Sequence, residues 1–111
     1  MECIFCKIAS KEIKAKIVYE DEEIIAFDDL NPHAPVHILI IPKKHIESIL
    51  GLNDEDALLI GKINLVAKKI AQKFNLSDFR LVSNCGKKAG QSIFHIHYHF
   101  LGGRRFQWPP G

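Results

Sequence analysis

An α+β domain built on a five-stranded antiparallel sheet is what this sequence predicts, and three observations carry the prediction. Five short apolar runs are separated by turn-forming residues, the spacing of hairpin-linked strands gathered around a helix. Leu59, Ile63, Val66, Ile70 and Phe74 recur at steps of four, three, four and four, which draws one apolar stripe along a long helix. Near the end, Phe94-His95-Ile96-His97-Tyr98-His99-Phe100-Leu101 alternates imidazoles with apolar or aromatic side chains, the period of a strand. At 111 residues the chain holds one core and reads as a single domain, residues 1–111, small enough that oligomerisation would help bury apolar surface.

Taken in order, Ile4 to Ser10 reads as a short helix or turn. Lys16 to Tyr19 and Glu23 to Phe27 form a hairpin across the acidic Glu20-Asp21-Glu22. The two prolines of Asn31-Pro32-His33-Ala34-Pro35 fix φ and remove backbone donors, so the chain turns there before the apolar strand Val36 to Ile41, which Pro42 ends. Asn53 stands as the cap of the long helix, with Asp54, Glu55 and Asp56 at the positive end of its dipole. Lys62, Lys68, Lys69 and Lys73 fall on its solvent side. Phe79 to Ser83 is a fourth strand and the histidine segment a fifth. Between them, Asn84 to Ser92 is a polar loop whose glycines allow close backbone approach to a ligand and whose successive N–H groups can face an anion. The tail, residues 102–111, ends in Trp108-Pro109-Pro110-Gly111, a stiff, apolar segment suited to docking on a surface.

Composition removes several function classes. Hydrophobic residues make up 47% and charged residues 25% of the chain, the balance of a folded protein rather than a disordered one. No window approaches a membrane span and no secretory leader is visible, so the expectation is a cytoplasmic protein with no membrane partner. A net charge of +2 is too small for a stable nucleic-acid partner, and any nucleotide bound is a small one. Three cysteines suit no disulfide framework. Cys3-Ile4-Phe5-Cys6 reads as half of a metal site; a redox pair is the alternative, weakened because no strand precedes the motif.

The alternating histidines are the strongest functional signal. On one strand their Cβ atoms would lie about 6.5–7 Å apart on a single face, close enough for neighbouring rings to converge on one small ligand. Imidazole changes charge near neutral pH, which suits catalysis. A three-imidazole zinc site is the rival reading of the same pattern.

With loop, strand and tail in view, the chain resembles the histidine triad (HIT) superfamily, and within it the Hint branch of nucleoside phosphoramidases. The likeness runs through Ile4-Phe5 and Lys7-Ile8, Ala34-Pro35 then His37, and Ile41-Pro42-Lys43-Lys44-His45-Ile46. It continues with Gly90-Gln91-Ser92, the three histidines followed by Leu101-Gly102-Gly103-Arg104, and the closing Trp108-Pro109-Pro110-Gly111, which points to the Hint branch.

That resemblance implies a hydrolase acting on purine nucleoside 5′-phosphoramidates or acyl-adenylates. His97 would be the nucleophile, forming a nucleotidyl-histidine that water hydrolyses. His99 would contact phosphoryl oxygens or the leaving group, Ser92 would donate to the leaving group, and His37 would complete the imidazole network. Asn84 and the Gly90 backbone would hold the phosphate, Asp29 the ribose hydroxyls, and Phe5, Ile8, Phe27 and Leu30 the base. A carboxylate for a vicinal diol and an apolar slot for a flat base are physically apt pairings. The C-x-x-C pair matches a subset of the superfamily in which Cys3, Cys6, His45 and His95 would enclose a structural zinc; no organic cofactor is implied. A homodimer sharing a ten-stranded sheet is implied too, with the tail and Trp108 near the partner's active site. A dinucleoside polyphosphate hydrolase of the Fhit branch, or a nucleotide-binding scaffold with incidental hydrolysis, are the alternatives. The chain departs from many Hint proteins in Ala89-Gly90, where two glycines are usual, in the basic Lys87-Lys88, and in Asp28 beside the ribose carboxylate.

Overall fold

Alternation along the strands decides which face each side chain takes, and two apolar layers follow from it. In the computed structural model, which describes residues 3–111, the elements are α1 (Ile4–Ala9), β1 (Ile17–Glu20), β2 (Ile24–Asp28), β3 (Val36–Pro42), α2 (Ala57–Lys73), β4 (Phe79–Val82) and β5 (Tyr98–Gly102). The five strands form one sheet in the order β1-β2-β3-β5-β4, and every pairing is antiparallel.

Ile24 and Ala26 of β2, Ile38 and Ile40 of β3 and Phe100 of β5 point to one face, where they meet Ile63, Val66, Ala67 and Ile70 of α2. The opposite face carries Ile25, Phe27, Leu39 and Ile41, covered by Cys3, Phe5 and Ile8 around α1. Each isoleucine so buried contributes about 1.5–3 kcal/mol relative to exposure. Leu39 pairs with His99 across β3 and β5, so the imidazoles lie on the α1 face. The helix α2 supports the sheet from behind them.

Three sequence expectations are adjusted. Asn53 precedes a 3₁₀ turn (Asp54–Asp56) that leads into α2; its backbone N–H donates to the Asp56 carboxylate at 2.9 Å. The buried side of α2 is Ile63, Val66, Ala67, Ile70 and Ala71, while Leu59 is half-buried and Phe74 exposed. The larger correction concerns the fifth strand, which begins at Tyr98 rather than at Phe94. Its register against β3 would put Ile96 opposite Pro42, and proline has no N–H for a ladder bond. The Ile96 N–H instead donates to the Ile46 carbonyl at 2.6 Å, and the Pro42 carbonyl is 2.7 Å from His95 Nε2. The chain therefore bends before β5. No helix among the described residues is long and apolar enough to cross a membrane.

Candidate functional site

The bend divides the three histidines between two neighbouring sites. The His95 ring lies 5.0 Å from that of His45, whereas His97 and His99 sit 5.1 Å apart, centroid to centroid. Phe5 stands edge-on to both His95 and His97, at 5.9 and 5.1 Å, and so packs beside both clusters. The three-imidazole metal site expected as the rival reading is not among the ligand groupings of the described residues.

Cys3, Cys6, His45 and His95 do converge, with one ligand atom from each lying within 4.8 Å of all the others. The separations are 3.4 Å for Cys3 Sγ to His95 Nδ1, 3.4 Å for Cys6 Sγ to His45 Nδ1, 3.6 Å for Cys6 Sγ to His95 Nδ1, and 3.2 Å between the two Nδ1 atoms. Tetrahedral zinc, with bonds of about 2.3 Å to sulfur and 2.0–2.1 Å to nitrogen, needs ligand atoms about 3.3–3.8 Å apart. A carbonyl only accepts, so His95 donates Nε2–H to Pro42 and turns a bare Nδ1 to the sulfurs. Burial pushes the Cys6 thiol up, and the neighbouring Cys3 adds to it; a divalent cation between them reverses that preference. One cost remains, because the His45 Nε2 is buried without a hydrogen-bond partner. Four protein ligands leave no open position, so an ion here supports structure.

The second cluster is an imidazole network whose tautomers follow from its fixed partners. His97 Nδ1 lies 2.8 Å from the His95 carbonyl, so it carries the proton and leaves Nε2 with a free lone pair. The His33 backbone N–H donates to His37 Nδ1 at 2.9 Å, so neutral His37 holds its proton on Nε2. That nitrogen is 2.9 Å from His99 Nδ1 and 3.3 Å from Asp29 Oδ2. Two N–H groups cannot face each other at that distance, so His99 Nδ1 is bare and its other edge is a donor. Both rings are neutral at pH 7. Burial lowers His37, against the pull of the Asp29 carboxylate. Burial, with His97 and His37 adding to it, holds His99 down at about 4. Asp29, His37 and His99 also satisfy a metal-ligand spacing, but a protonated Nε2 on His37 makes them a hydrogen-bonded relay instead.

These rings line two adjoining recesses. One, of about 630 Å³, is walled by Phe5, Ile8, Phe27, Asp29, Ser92 and His97 among others. The other, of about 300 Å³, brings Asn84, Gly90 and Ser92 to His97 and His99. Phe5, Ile8 and Phe27 are mostly core and present only edges to the cavity, whereas Leu30 stands on its rim, 99% exposed. Asp29 Oδ1 accepts the Asn31 N–H at 2.8 Å, beside the same cavity. Gly90 has φ +101°, and a Cβ there would lie 3.6 Å from the Asn84 amide nitrogen. Of the residues expected at the site, Trp108 alone lies outside both recesses; it is 82% exposed and stacks on Arg80 of β4 at 5.9 Å.

Sequence reasoning missed two residues. Gln91 is buried and ties the loop together: its Oε1 accepts the Gly86 N–H at 2.9 Å, and its Nε2 donates to the Glu47 and Ile93 carbonyls at 2.7 and 3.1 Å. Its only signal was its place between Gly90 and Ser92. His33 lines both recesses and fixes His37 through its backbone, a role that leaves no mark on residue type.

Residues 2–106 match the family described as scavenger mRNA decapping enzyme C-term binding. The chain is 50% identical to an uncharacterized HIT-like protein of Synechocystis sp., over 99% of this chain and 97% of that one. The solved structure of a HIT family hydrolase from Legionella pneumophila Philadelphia 1 has a TM-score of 0.96 at 53% identity, covering 99% of this chain and 100% of its own. A histidine triad nucleotide-binding protein from Candida albicans gives a TM-score of 0.84 at 30% identity, over 97% of this chain and 83% of its own.

Proposed function

We propose, from the premise that this chain belongs to the histidine triad (HIT) family, that it is a hydrolase of purine nucleoside 5′-phosphoramidates or acyl-adenylates. The observation that carries this reading is the tautomer of His97, whose Nδ1–H is committed to the His95 carbonyl. Its Nε2 then keeps a lone pair for attack beside the recesses that His97 lines, and the cation formed on attack keeps a carbonyl partner.

In this mechanism His97 Nε2 attacks the α-phosphorus and the bond to the leaving group breaks. Ser92 donates to the leaving nitrogen or oxygen as it departs. Water then cleaves the nucleotidyl-histidine and returns His97 to its starting state. The His99 Nε2–H contacts the phosphoryl oxygens, where a neutral donor stabilises developing charge. Asn84 and the Gly90 backbone hold the phosphate side, Asp29 accepts from the ribose, and Phe5, Ile8, Phe27 and Leu30 contact the base. Zinc held by Cys3, Cys6, His45 and His95 supplies structure and takes no part in the steps.

A homodimer joined through β4 and α2 completes the proposal. β4 is an edge strand, and Leu58 and Leu65 on α2 are 89% and 61% exposed, the kind of apolar stripe that a second copy would cover. Trp108 and the tail would then reach the partner's active site.

A panel of adenosine and guanosine phosphoramidates, acyl-adenylates and diadenosine polyphosphates, compared by kcat/KM, tests the substrate class. Acid quenching followed by mass spectrometry should find a nucleoside monophosphate on His97. His97→Ala should lower kcat by about 10²-fold or more while nucleoside monophosphate binding survives. A variant keeping above about a tenth of wild-type kcat would remove His97 as nucleophile.

A further inference from the structure

We infer that Arg104, which lines neither catalytic recess, is a positioning residue that sets which nitrogen of His37 and of His99 carries the proton. The inference deepens the proposed hydrolase reading and rests on it for the effect on turnover; the tautomers themselves are measurable without any substrate.

The turn that leaves β5 is pressed against the proline turn that precedes β3. Gly103 has φ +94°, and a Cβ there would lie 3.0 Å from Pro35 Cβ, so only glycine allows this approach. Because of it, Arg104 Nε donates to the His33 carbonyl at 2.9 Å. The guanidinium is held in place by the Phe106 ring, 4.3 Å from its carbon, and by a bond from Nη1 to the Arg105 carbonyl at 3.0 Å. Such a stacked, forked group is better preorganised than a lysine.

His33 is thus fixed at both of its backbone groups. Its carbonyl accepts from Arg104, and its N–H donates to His37 Nδ1 at 2.9 Å. The segment around it, Asn31 to Pro35, has no regular secondary structure and is largely exposed. Arg104 is therefore the outer anchor of the bond that places the His37 proton on Nε2.

Releasing that anchor has a defined consequence. If the His33 N–H moves off His37, the His37 proton can shift to Nδ1, leaving Nε2 bare. His99 Nδ1, 2.9 Å away, must then carry a proton to keep their bond, and His99 Nε2 loses its own. No net charge changes. A donor toward the phosphoryl oxygens becomes a lone pair that repels them. The Asp29 carboxylate, 3.3 Å from His37 Nε2, still favours the original arrangement, so the shift is partial.

The test is imidazole ¹⁵N NMR on the full chain with labelled histidine, together with steady-state kinetics on a nucleoside phosphoramidate. Wild type should show His37 and His99 both protonated on Nε2. In Arg104→Ala, the ¹⁵N signals of both rings should move toward tautomer-averaged values, with His97 unmoved because its Nδ1–H is held by His95. kcat should fall in proportion to the fraction of molecules that leave the original tautomers, by about twofold or less while Asp29 keeps that arrangement the major one, at unchanged KM. Arg104→Lys, which keeps the charge but not the planar fork, should recover part of both changes. Unmoved His37 and His99 signals in Arg104→Ala overturn the inference, as does His97 moving in step with them, which would mean general loosening. If Arg104→Ala does not fold, Arg104→Lys and Phe106→Leu carry the same comparison: smaller shifts in the same direction support it, and none in either overturns it. A wild type inactive on every phosphoramidate would defeat the proposed function while leaving the NMR result to decide the role of Arg104.

Discussion

Acidification should weaken this fold through His99, a ring the native state keeps neutral far below its ordinary range. Burial is the main cause, His97 and His37 add to it, and only the Asp29 carboxylate opposes it. The native value is about 4, against an ordinary 6.5, and the side chain is 21% exposed. At pH 7 the ring is neutral in the native protein and only about a quarter protonated in the unfolded chain, so it contributes only a few tenths of a kcal/mol to the pH dependence there. As pH falls through 6.5 the unfolded chain takes up a proton that the native protein refuses, so stability drops until about pH 4. The loss from this one ring is about 2 kcal/mol at pH 5 and approaches about 3 kcal/mol below pH 4. That is a sizeable share of the roughly 5–15 kcal/mol that holds a domain of this size.

Urea denaturation at pH 7, 6 and 5, run on wild type and on His99→Gln, isolates the effect as a difference in pH slope. Other titrating groups, including His37, which burial also lowers, largely cancel between the two proteins. Wild type should lose about 2 kcal/mol more than the variant between pH 7 and pH 5. Parallel curves would refute the claim that the native state excludes the proton from His99. A wild type that gained stability on acidification relative to the variant would reverse the sign of the argument.

Two further outcomes are expected. Cys3→Ser combined with Cys6→Ser should abolish bound zinc by metal analysis and lower Tm more than it lowers activity per folded molecule; protein purified without chelator that holds no zinc would contradict the site. Deleting Trp108 to Gly111 should change kcat/KM and substrate preference with little change in Tm, and in mixed dimers an active His97 subunit lacking its own tail should behave like wild type beside a His97→Ala subunit with an intact one. Behaviour like the tail-less homodimer would confine the tail to its own subunit.

How far the sequence speaks depends on how local the deciding interaction is. The stripe Ile63, Val66 and Ile70 lies within one helix and reads correctly, as does the Cys3-x-x-Cys6 pair at the start of α1, where the Cys6 N–H donates to Cys3 Sγ at 3.4 Å. The alternation from Phe94 to Leu101 reads as one strand because nothing within it opposes that. What shortens the strand is the missing donor of Pro42, far away in the chain. Period alone also groups His95 with His97 and His99, when its ring belongs with His45 and the two cysteines; only the family likeness separated them beforehand. Gln91 and Arg104 act by side-chain bonds to backbone groups and His33 by its own N–H and carbonyl, and no residue pattern announces such bonds.

His95 lets the candidate metal group and the proposed nucleophile lie side by side without sharing chemistry. Its imidazole belongs to the Cys3, Cys6 and His45 group, while its carbonyl accepts from His97 Nδ1 at 2.8 Å. One residue therefore serves both sites through different atoms. The backbone beside that carbonyl has supports of its own, since Ile96 N–H donates to Ile46 at 2.6 Å and Ser83 Oγ donates to the His97 carbonyl at 3.0 Å. An ion held there would tie down the ring and the N-terminal segment that carries Cys3 and Cys6, so its loss would cost stability. The carbonyl that selects the His97 tautomer stays in place as long as those two bonds hold, and so each molecule that remains folded keeps its proposed nucleophile.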